Sequence, residues 1–207
     1  NFDIPPGSLG GGVGVPVVTF NGTTEVATSP DDAYWSRGDG TSDRPFSIGV
    51  WVNVDTGSWR TILSRWESTG RQFEWSFHIN GSEGLGTTLR DASQGAHVER
   101  ITVAPIPLNQ WVFLVATYDG ASGPNAADTI TLYVNGVVEA STATINPKYV
   151  AMEDLPNNID FAQSDGSAFR FKGDMAGGPL GLFFSPRELT PAQILELFTL
   201  GETEMGL

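Results

Sequence analysis

Short segments in which apolar and polar residues alternate dominate this sequence, and they limit the folds that it can adopt. In Phe46–Val54 ("FSIGVWVNV") every second residue is apolar, so these side chains share one face of a strand. Phe73–Ile79 ("FEWSFHI") has the same period. Trp75 and Trp111 fall on the apolar faces of their segments and are predicted to be core residues. Glycine, proline, aspartate and asparagine bound the segments, which predicts an all-β fold: a two-sheet antiparallel jelly-roll sandwich.

One segment near the C-terminus, "TPAQILELFTL", has the period of a helix instead. Thr190 is a suitable N-cap, and Pro191 fits the first turn. The apolar side of this helix consists of Ile194, Leu195, Leu197 and Phe198. At the other end of the chain, residues 1–16 are rich in glycine and proline and lack a lasting period, which predicts a tail or linker. Residues 17–207 are therefore predicted to form one domain with one short C-terminal helix.

The composition restricts the partners and the chemistry of the chain. It carries 24 acidic and 11 basic residues, a net charge of −13, and it has no cysteine. Such a charge repels phosphate backbones, so no nucleic acid is expected as a partner. The lack of cysteine excludes disulfides, thiol catalysis and cysteine-ligated metals. No apolar stretch reaches membrane-spanning length, so no membrane insertion is expected either.

Five motifs occur in an order that resembles a known family. They are "VVTFNGTTEVATSP", "FSIGVWVNVDTGSWRTILSRWE", "LNQWVFLVATYDG", "ITLYVNGVVEAS" and "FKGDMAGGPLGLFFSPRELTPAQILELF". Together they span Val17–Phe198 and resemble a laminin-G-like domain of the concanavalin A-like lectin/glucanase superfamily. The resemblance implies the two-sheet jelly roll, with a hairpin turn at Asn135-Gly136. The last motif also resembles the C-terminal segment of structural proteins of tailed phages.

The resemblance also bears on cofactors, because members of this superfamily often bind one Ca²⁺ at the rim of the sandwich. It implies that Asn21 occupies the first ligand position. It also implies that Ala176 and Gly177 replace the usual acidic pair in the last strand, with Asp174 just upstream. No cofactor is therefore required, and calcium is left open.

Two acidic loops offer other cation ligands. The first, "DDAYWSRGDGTSD", contains Asp39 and Asp43, and the long connection "DGASGPNAAD" contains Asp119 and Asp128. Ca²⁺ takes roughly six to eight oxygen ligands and tolerates irregular loops. The alternative is that these side chains bond their own backbone, as Asp and Asn often do in turns.

Catalytic patterns are absent from the sequence. The glucanase branch of the superfamily uses an E-x-D-x-x-E strand, and no such run occurs here. The chain has two histidines, His78 and His97, and no H-E-x-x-H, G-x-S-x-G or P-loop motif. The chain is therefore predicted not to be an enzyme.

Aromatic side chains outside the predicted core are the candidate ligand contacts, because sugars stack on exposed rings. Trp35 and Trp59 fall in polar loops, and Trp51 alternates out of register with its apolar neighbours. Glu74 and His78 are assigned to the polar face of their strand, where they would form a platform with Trp51 if the strands are neighbours. The alternatives are a loop or the N-terminal tail over Trp51, loop tryptophans that fold back as lids, and an ordinary surface histidine.

These observations favour a non-catalytic recognition or structural module. The leading hypothesis is a virion decoration or fibre protein that acts through protein contacts, with glycan recognition as an additional role and a homo-oligomer as an open alternative. The second is a carbohydrate-binding module of a secreted microbial enzyme or adhesin, and a glucanase-type hydrolase ranks last. The expected partners are a protein on a capsid, fibre or cell surface and a glycan, and the expected location is the virion surface or the extracellular space.

Overall fold

The computed structural model describes residues 15–55, 59–164, 169–178 and 180–207. The strands among these residues are β1 (Val17–Asn21), β2 (Ala27–Ser29), β3 (Phe46–Val54), β4 (Arg60–Glu67), β5 (Gln72–Ile79), β6 (Leu85–Asp91), β7 (Ala96–Thr102), β8 (Trp111–Tyr118), β9 (Ile130–Val134), β10 (Val137–Val138), β11 (Ser141–Thr144), β12 (Ile159–Phe161), β13 (Lys172–Ala176) and β14 (Leu182–Ser185). They are followed by the helix α1 (Pro191–Met205). Of the predicted tail, residues 1–14 lie outside the described residues.

The strands form two antiparallel sheets, which confirms the predicted fold class. The first sheet has the order β1-β13-β3-β8-β9-β10, and β14 pairs with the other half of β3. The second sheet has the order β11-β7-β6-β5-β4-β12-β2. No helix in the described part of the chain is long and apolar enough to cross a membrane.

The main core lies between the two sheets. The alternating face of β3 lies in it, and Phe46, Ile48, Val50, Val52 and Val54 are fully buried. They face a second set from the other sheet, which includes Trp75, Phe77 and Ile79. The period-2 pattern of Phe46–Val54 therefore predicted the core face of β3 correctly.

A second apolar layer lies on the outer side of the first sheet, between the sheet and α1. Trp51 is 1% exposed there, and its ring stacks on Phe113 and Phe198. A side chain on Gly201 of α1 would overlap the Trp51 indole, so glycine lets the helix approach closely. The cover over Trp51 is thus α1, not a loop. Trp111 was placed in the sandwich core by its alternation, and that was wrong, because it packs half-buried in this outer layer.

The predicted hairpin turn after β9 is confirmed. Asn135 and Gly136 form the two-residue hairpin turn between β9 and β10, with φ angles of 50° and 76° that Asn and Gly tolerate. β8 and β9 are antiparallel neighbours despite the long connection between them. In that connection Ala126 and Ala127 are buried in a short 3₁₀ turn, so part of the loop completes the core.

Candidate functional site

A groove of about 340 Å³ opens on the outer face of the second sheet, the face turned away from the core. Its lining combines exposed aromatic rings with polar and charged side chains. The described residues that line it are Trp59, Thr61, Trp66, Ser76, His78, Thr88, Arg90, His97, Glu99, Ser164 and Phe169. Most of them are alternate residues on the neighbouring strands β4 to β7, and the others come from the segments next to these strands.

Two β-bulges between β4 and β5 decide which side chains reach this groove. One bulge adds Ile62 on β4, and Ile62 and Leu63 are both buried in the core. The other adds Glu74 on β5, because Arg65 pairs with Trp75 and the next β4 residue pairs with Phe73. Glu74 therefore turns inward, whereas simple alternation had assigned it to the polar face, and that assignment was wrong.

Behind the sheet, Glu74 forms a buried ion pair with Arg65. Glu74 Oε1 lies 2.8 Å from Arg65 Nη2 and also accepts a hydrogen bond from the backbone N–H of Leu155. Both side chains of the pair are fully buried. Burial raises the pKa of Glu74 to about 7, although the charge of Arg65 opposes the shift. Glu74 thus connects β5 to Arg65 of β4 and to the backbone at Leu155, and it does not reach the groove.

The floor of the groove is a hydrogen-bonded polar array around His78. Ser76 Oγ lies 3.2 Å from His78 Nδ1, and Glu99 Oε1 lies 3.3 Å from His78 Nε2, an ion-pair distance. Glu99 also accepts a hydrogen bond from Thr88 Oγ1. Burial opposes ionisation of Glu99, but the contacts with His78 and Thr88 outweigh it and lower the pKa of this carboxyl. The array therefore presents a charged acceptor next to an imidazole and two hydroxyl groups.

Gly86 makes this array geometrically feasible. It lies opposite His78 on β6, and a Cβ at this position would be 2.6 Å from His78 Nε2. Because Gly86 has no side chain, the imidazole crosses β6 and reaches Glu99 on β7.

An aromatic wall bounds one end of the groove. Trp59 stacks on the His78 ring with centroids 5.3 Å apart, and Phe169 packs against Trp59 at 5.9 Å. Trp59 is 43% exposed and Phe169 is 53% exposed, which is unusual for such large rings. Gly81 supports the indole from below, because a Cβ there would meet Trp59 Nε1 at 2.9 Å.

The other end of the groove holds a guanidinium that packs over two aromatic rings in mutual contact. Arg90 lies 5.0 Å from the centre of the Phe73 ring and 5.7 Å from that of Trp66. Burial lowers the pKa of Arg90 from its ordinary value, and the charge of Arg71 lowers it further, but an arginine remains cationic at neutral pH.

The structure separates the predicted ligand contacts. Trp59 and His78 lie together in the groove. Trp51 belongs to the other sheet and lies under α1, so the expected platform of Trp51, Glu74 and His78 does not form. Trp35 packs on the edge of the core against Phe184, with ring centres 5.2 Å apart, as the lid alternative expects.

The predicted cation ligands lie in separate local networks. Asp43 is buried, accepts hydrogen bonds from Tyr118 and Tyr149, and has a pKa raised by burial. Asp39 accepts from the backbone N–H groups of the two residues that follow Gly40, and Asp119 accepts from the N–H of Ala121. Asp128 Oδ1 lies 4.0 Å from a guanidinium nitrogen of Arg100.

The family-implied cation positions are also engaged in local hydrogen bonds. Asn21 Oδ1 accepts from the N–H groups of Thr23 and Thr24, and Asp174 accepts from Thr19. Among the described residues no three His, Asp or Glu side chains are grouped closely enough to hold a metal ion. Calcium binding stays a prediction.

Sequence reasoning missed several residues of the groove and one that packs beside it. Phe73, whose ring contacts Arg90, was assigned to the core, and Phe169 follows no strand-like pattern. Arg90 and Glu99 lie in the segments "LGTTLRD" and "AHVERIT", where glycine or polar residues occupy the alternate positions 86, 88 and 90 and the alternate positions 97 and 99. That alternation was the available signal, because it puts Thr88, Arg90 and Glu99 on one face of adjacent strands.

The architecture is a jelly-roll β-sandwich of the concanavalin A-like class. The model of the Laminin_G_3 family, within the concanavalin A-like lectin/glucanases superfamily, matches residues 21–194, and the chain belongs to this family. The predicted laminin-G-like membership is thereby confirmed, whereas the phage-like C-terminal segment stays a prediction. No curated protein matches the sequence.

Solved structures with the same fold include carbohydrate-binding modules and receptor-binding domains. The CBM40 of the Ruminococcus gnavus IT-sialidase, bound to α2,3 sialyllactose, has a TM-score of 0.58 and 13% identity over 85% of this chain and 99% of that chain. A putative carbohydrate binding protein from Bacteroides ovatus has a TM-score of 0.50 and 15% identity over 83% of this chain and 43% of that one. The receptor binding domain of botulinum neurotoxin C/D mosaic serotype has a TM-score of 0.50 and 14% identity, covering 75% of this chain and 36% of that one. At these identities the likeness shows the fold alone.

Proposed function

We propose that this chain is a non-catalytic glycan-binding module and that the groove on the second sheet is its binding site. The observation that carries the proposal is the exposed wall of Trp59 and Phe169 beside a polar floor. Carbohydrate sites combine these two features, because a sugar ring has an apolar C–H face and a rim of hydroxyl groups. The fold shared with the CBM40 of a sialidase supports the proposal.

Each part of the groove would contact a different part of a sugar. The C–H face would stack on Trp59, and the hydroxyl groups would exchange hydrogen bonds with His78, Glu99 and Thr88. Glu99 already accepts a hydrogen bond from Thr88 and lies 3.3 Å from His78 Nε2, so these side chains are positioned before a ligand arrives and little side-chain entropy is lost. The proposal includes no calcium and no bond-breaking step.

The number of acidic side chains in the groove favours glycan binding over glycoside hydrolysis. Retaining and inverting glycoside hydrolases place two carboxyl groups across the scissile bond. Among the described residues that line this groove, Glu99 is the one carboxylate. A glycan-binding role would place the protein outside the cell or on a particle surface.

The test is a glycan array followed by calorimetry with the best oligosaccharide. Trp59→Ala is expected to weaken binding by about tenfold or more, because a stacked aromatic ring contributes about 1 kcal/mol beyond its buried area. Leu200→Ala is the matched control, since Leu200 is 46% exposed on α1, on the other sheet. Glycan binding that Trp59→Ala leaves unchanged, or no binding to any glycan, would rule out this function.

A second candidate, a virion decoration or fibre module that acts through protein contacts, is favoured by one surface. Val138 and Leu195 are more than half exposed on the outer side of the first sheet, where α1 meets β10. If this surface joins two copies, sedimentation velocity will show a concentration-dependent dimer that Val138→Asp abolishes. A monomer at all concentrations would remove the support for this candidate.

A further inference from the structure

We propose that the glycan carries an anionic group, a carboxylate or a sulfate, and that the Arg90 end of the groove receives it. This inference rests on the proposed function and specifies its ligand class. Three features of the described residues support it: Arg90 has a buried N–H group without a hydrogen-bond partner, the groove has few acidic side chains, and the two ends of the groove lie far apart.

Arg90 is held in place but has an unused hydrogen-bonding capacity. Its guanidinium packs on Phe73 and Trp66, which fix its plane without engaging its N–H groups. Arg90 Nε is buried, and no hydrogen-bond partner for it is present among the described residues. A buried donor without a partner costs free energy, and a ligand oxygen would remove that cost. Guanidinium binds carboxylate and sulfate-like groups through paired N–H bonds.

The charge of the groove differs from that of the rest of the molecule. The chain has a net charge of −13, yet the described lining of the groove holds a guanidinium, Arg90, and a single carboxylate, Glu99. Glu99 is already engaged, because it lies 3.3 Å from His78 and accepts a hydrogen bond from Thr88. The charge of Arg71 adds to the positive potential at Arg90. An anion would therefore be attracted to this end of an otherwise acidic protein.

The two ends of the groove form separate subsites. Trp59 lies over His78, which pairs with Gly86, and Arg90 lies four positions further along β6. Four residues of a strand span about 13 Å. A ligand that stacks on Trp59 and also reaches Arg90 is therefore longer than one sugar ring. The ligand class is an oligosaccharide with an acidic sugar, or a sulfated sugar, at one end.

The test compares matched neutral, carboxylated and sulfated oligosaccharides on the wild-type protein and on Arg90→Gln. We expect the wild type to prefer an anionic member and Arg90→Gln to lose about tenfold or more for that member, because a charge-assisted hydrogen bond is lost. The affinity for the neutral counterpart should change less than threefold, roughly the effect of a weak rim contact. The carboxylated and sulfated arms decide which anion is bound.

Two further variants make the result specific. Arg44→Gln removes the same charge from an exposed position that does not line the groove, and it should keep the preference. Arg90→Lys keeps the charge but loses the paired N–H geometry, so it should bind the anion with intermediate affinity. Chemical denaturation of each variant checks that it is folded.

The outcomes separate this inference from the proposed function. Equal binding of neutral and anionic members, or an anion preference that survives Arg90→Gln, would overturn the inference and leave glycan binding intact. Binding to no oligosaccharide would refute both.

Discussion

At the scale of single residues, Gly86 controls the geometry of the candidate site. His78 reaches Glu99 across β6 only because Gly86 has no side chain under the imidazole. Gly86 does not have a positive φ, so its backbone accepts alanine. The requirement for glycine at this position is therefore one of space.

Gly86→Ala is expected to displace the His78 ring and break its contact with Glu99. The added methyl would lie 2.6 Å from His78 Nε2, and overpacking of this kind costs about 1–3 kcal/mol in unfolding free energy. Glycan affinity should fall while Trp59 stays exposed. Calorimetry, denaturant unfolding and the NMR shifts of the His78 ring measure these effects.

The control for this variant is Gly177→Ala. A Cβ on Gly177 would lie 3.4 Å from its nearest neighbour, and Gly177 also has no positive φ. It should change neither glycan affinity nor the His78 signals. Unchanged His78 shifts in Gly86→Ala would show that the ring position does not depend on this glycine.

At the scale of secondary-structure elements, local chemistry predicted much of the fold. The alternation of β3, the Asn135-Gly136 turn and the N-cap Thr190 are all present, and Gln193 completes a capping box with Thr190. In each case neighbouring residues carry the information: a side-chain period, a pair with permitted positive φ, or a cap and its partner. The helix extends beyond its predicted segment to Met205, because its last residues pack on the first sheet.

What the sequence did not predict depends on residues that are distant along the chain. A bulge between β4 and β5 turned Glu74 inward and Phe73 outward, and its position depends on the pairing partner. Trp51 is covered by a helix about 150 positions away, so its outward alternation did not make it a ligand contact. Trp59 and His78 lie together in the groove, and their role as ligand contacts stays a prediction.

At the scale of the whole molecule, lowering the pH stabilises the fold in two ways: it protonates buried carboxyl groups, and it reduces the net negative charge. Burial raises the pKa of Glu74 to about 7, and burial also raises the pKa values of Asp43 and Asp160. The folded state therefore binds protons more tightly than the unfolded chain at these three groups. In addition, protonation reduces the net charge of −13 and the repulsion within the compact fold.

We therefore expect the free energy of unfolding to increase as the pH falls from about 8 to about 5. For Glu74, the stability contribution is complete below its unfolded pKa and is lost as the pH rises through its folded pKa near 7. One extra bound proton changes the unfolding free energy by about 1.4 kcal/mol per pH unit. Below this range the trend should reverse, because Glu99 has a lowered pKa and loses its contribution on protonation.

Glu74→Gln isolates the largest of these contributions, because glutamine has a similar shape and does not titrate. Denaturant unfolding of the wild type and the variant at pH 5, 6, 7 and 8 should give a shallower pH dependence for the variant, with the difference concentrated between the unfolded and folded pKa values of Glu74. Arg65 keeps Asp31 at 2.8 Å in the variant, so the guanidinium is not left without a partner. Parallel pH profiles would mean that Glu74 stays ionised beside Arg65 throughout, and that the ion pair outweighs burial at this position.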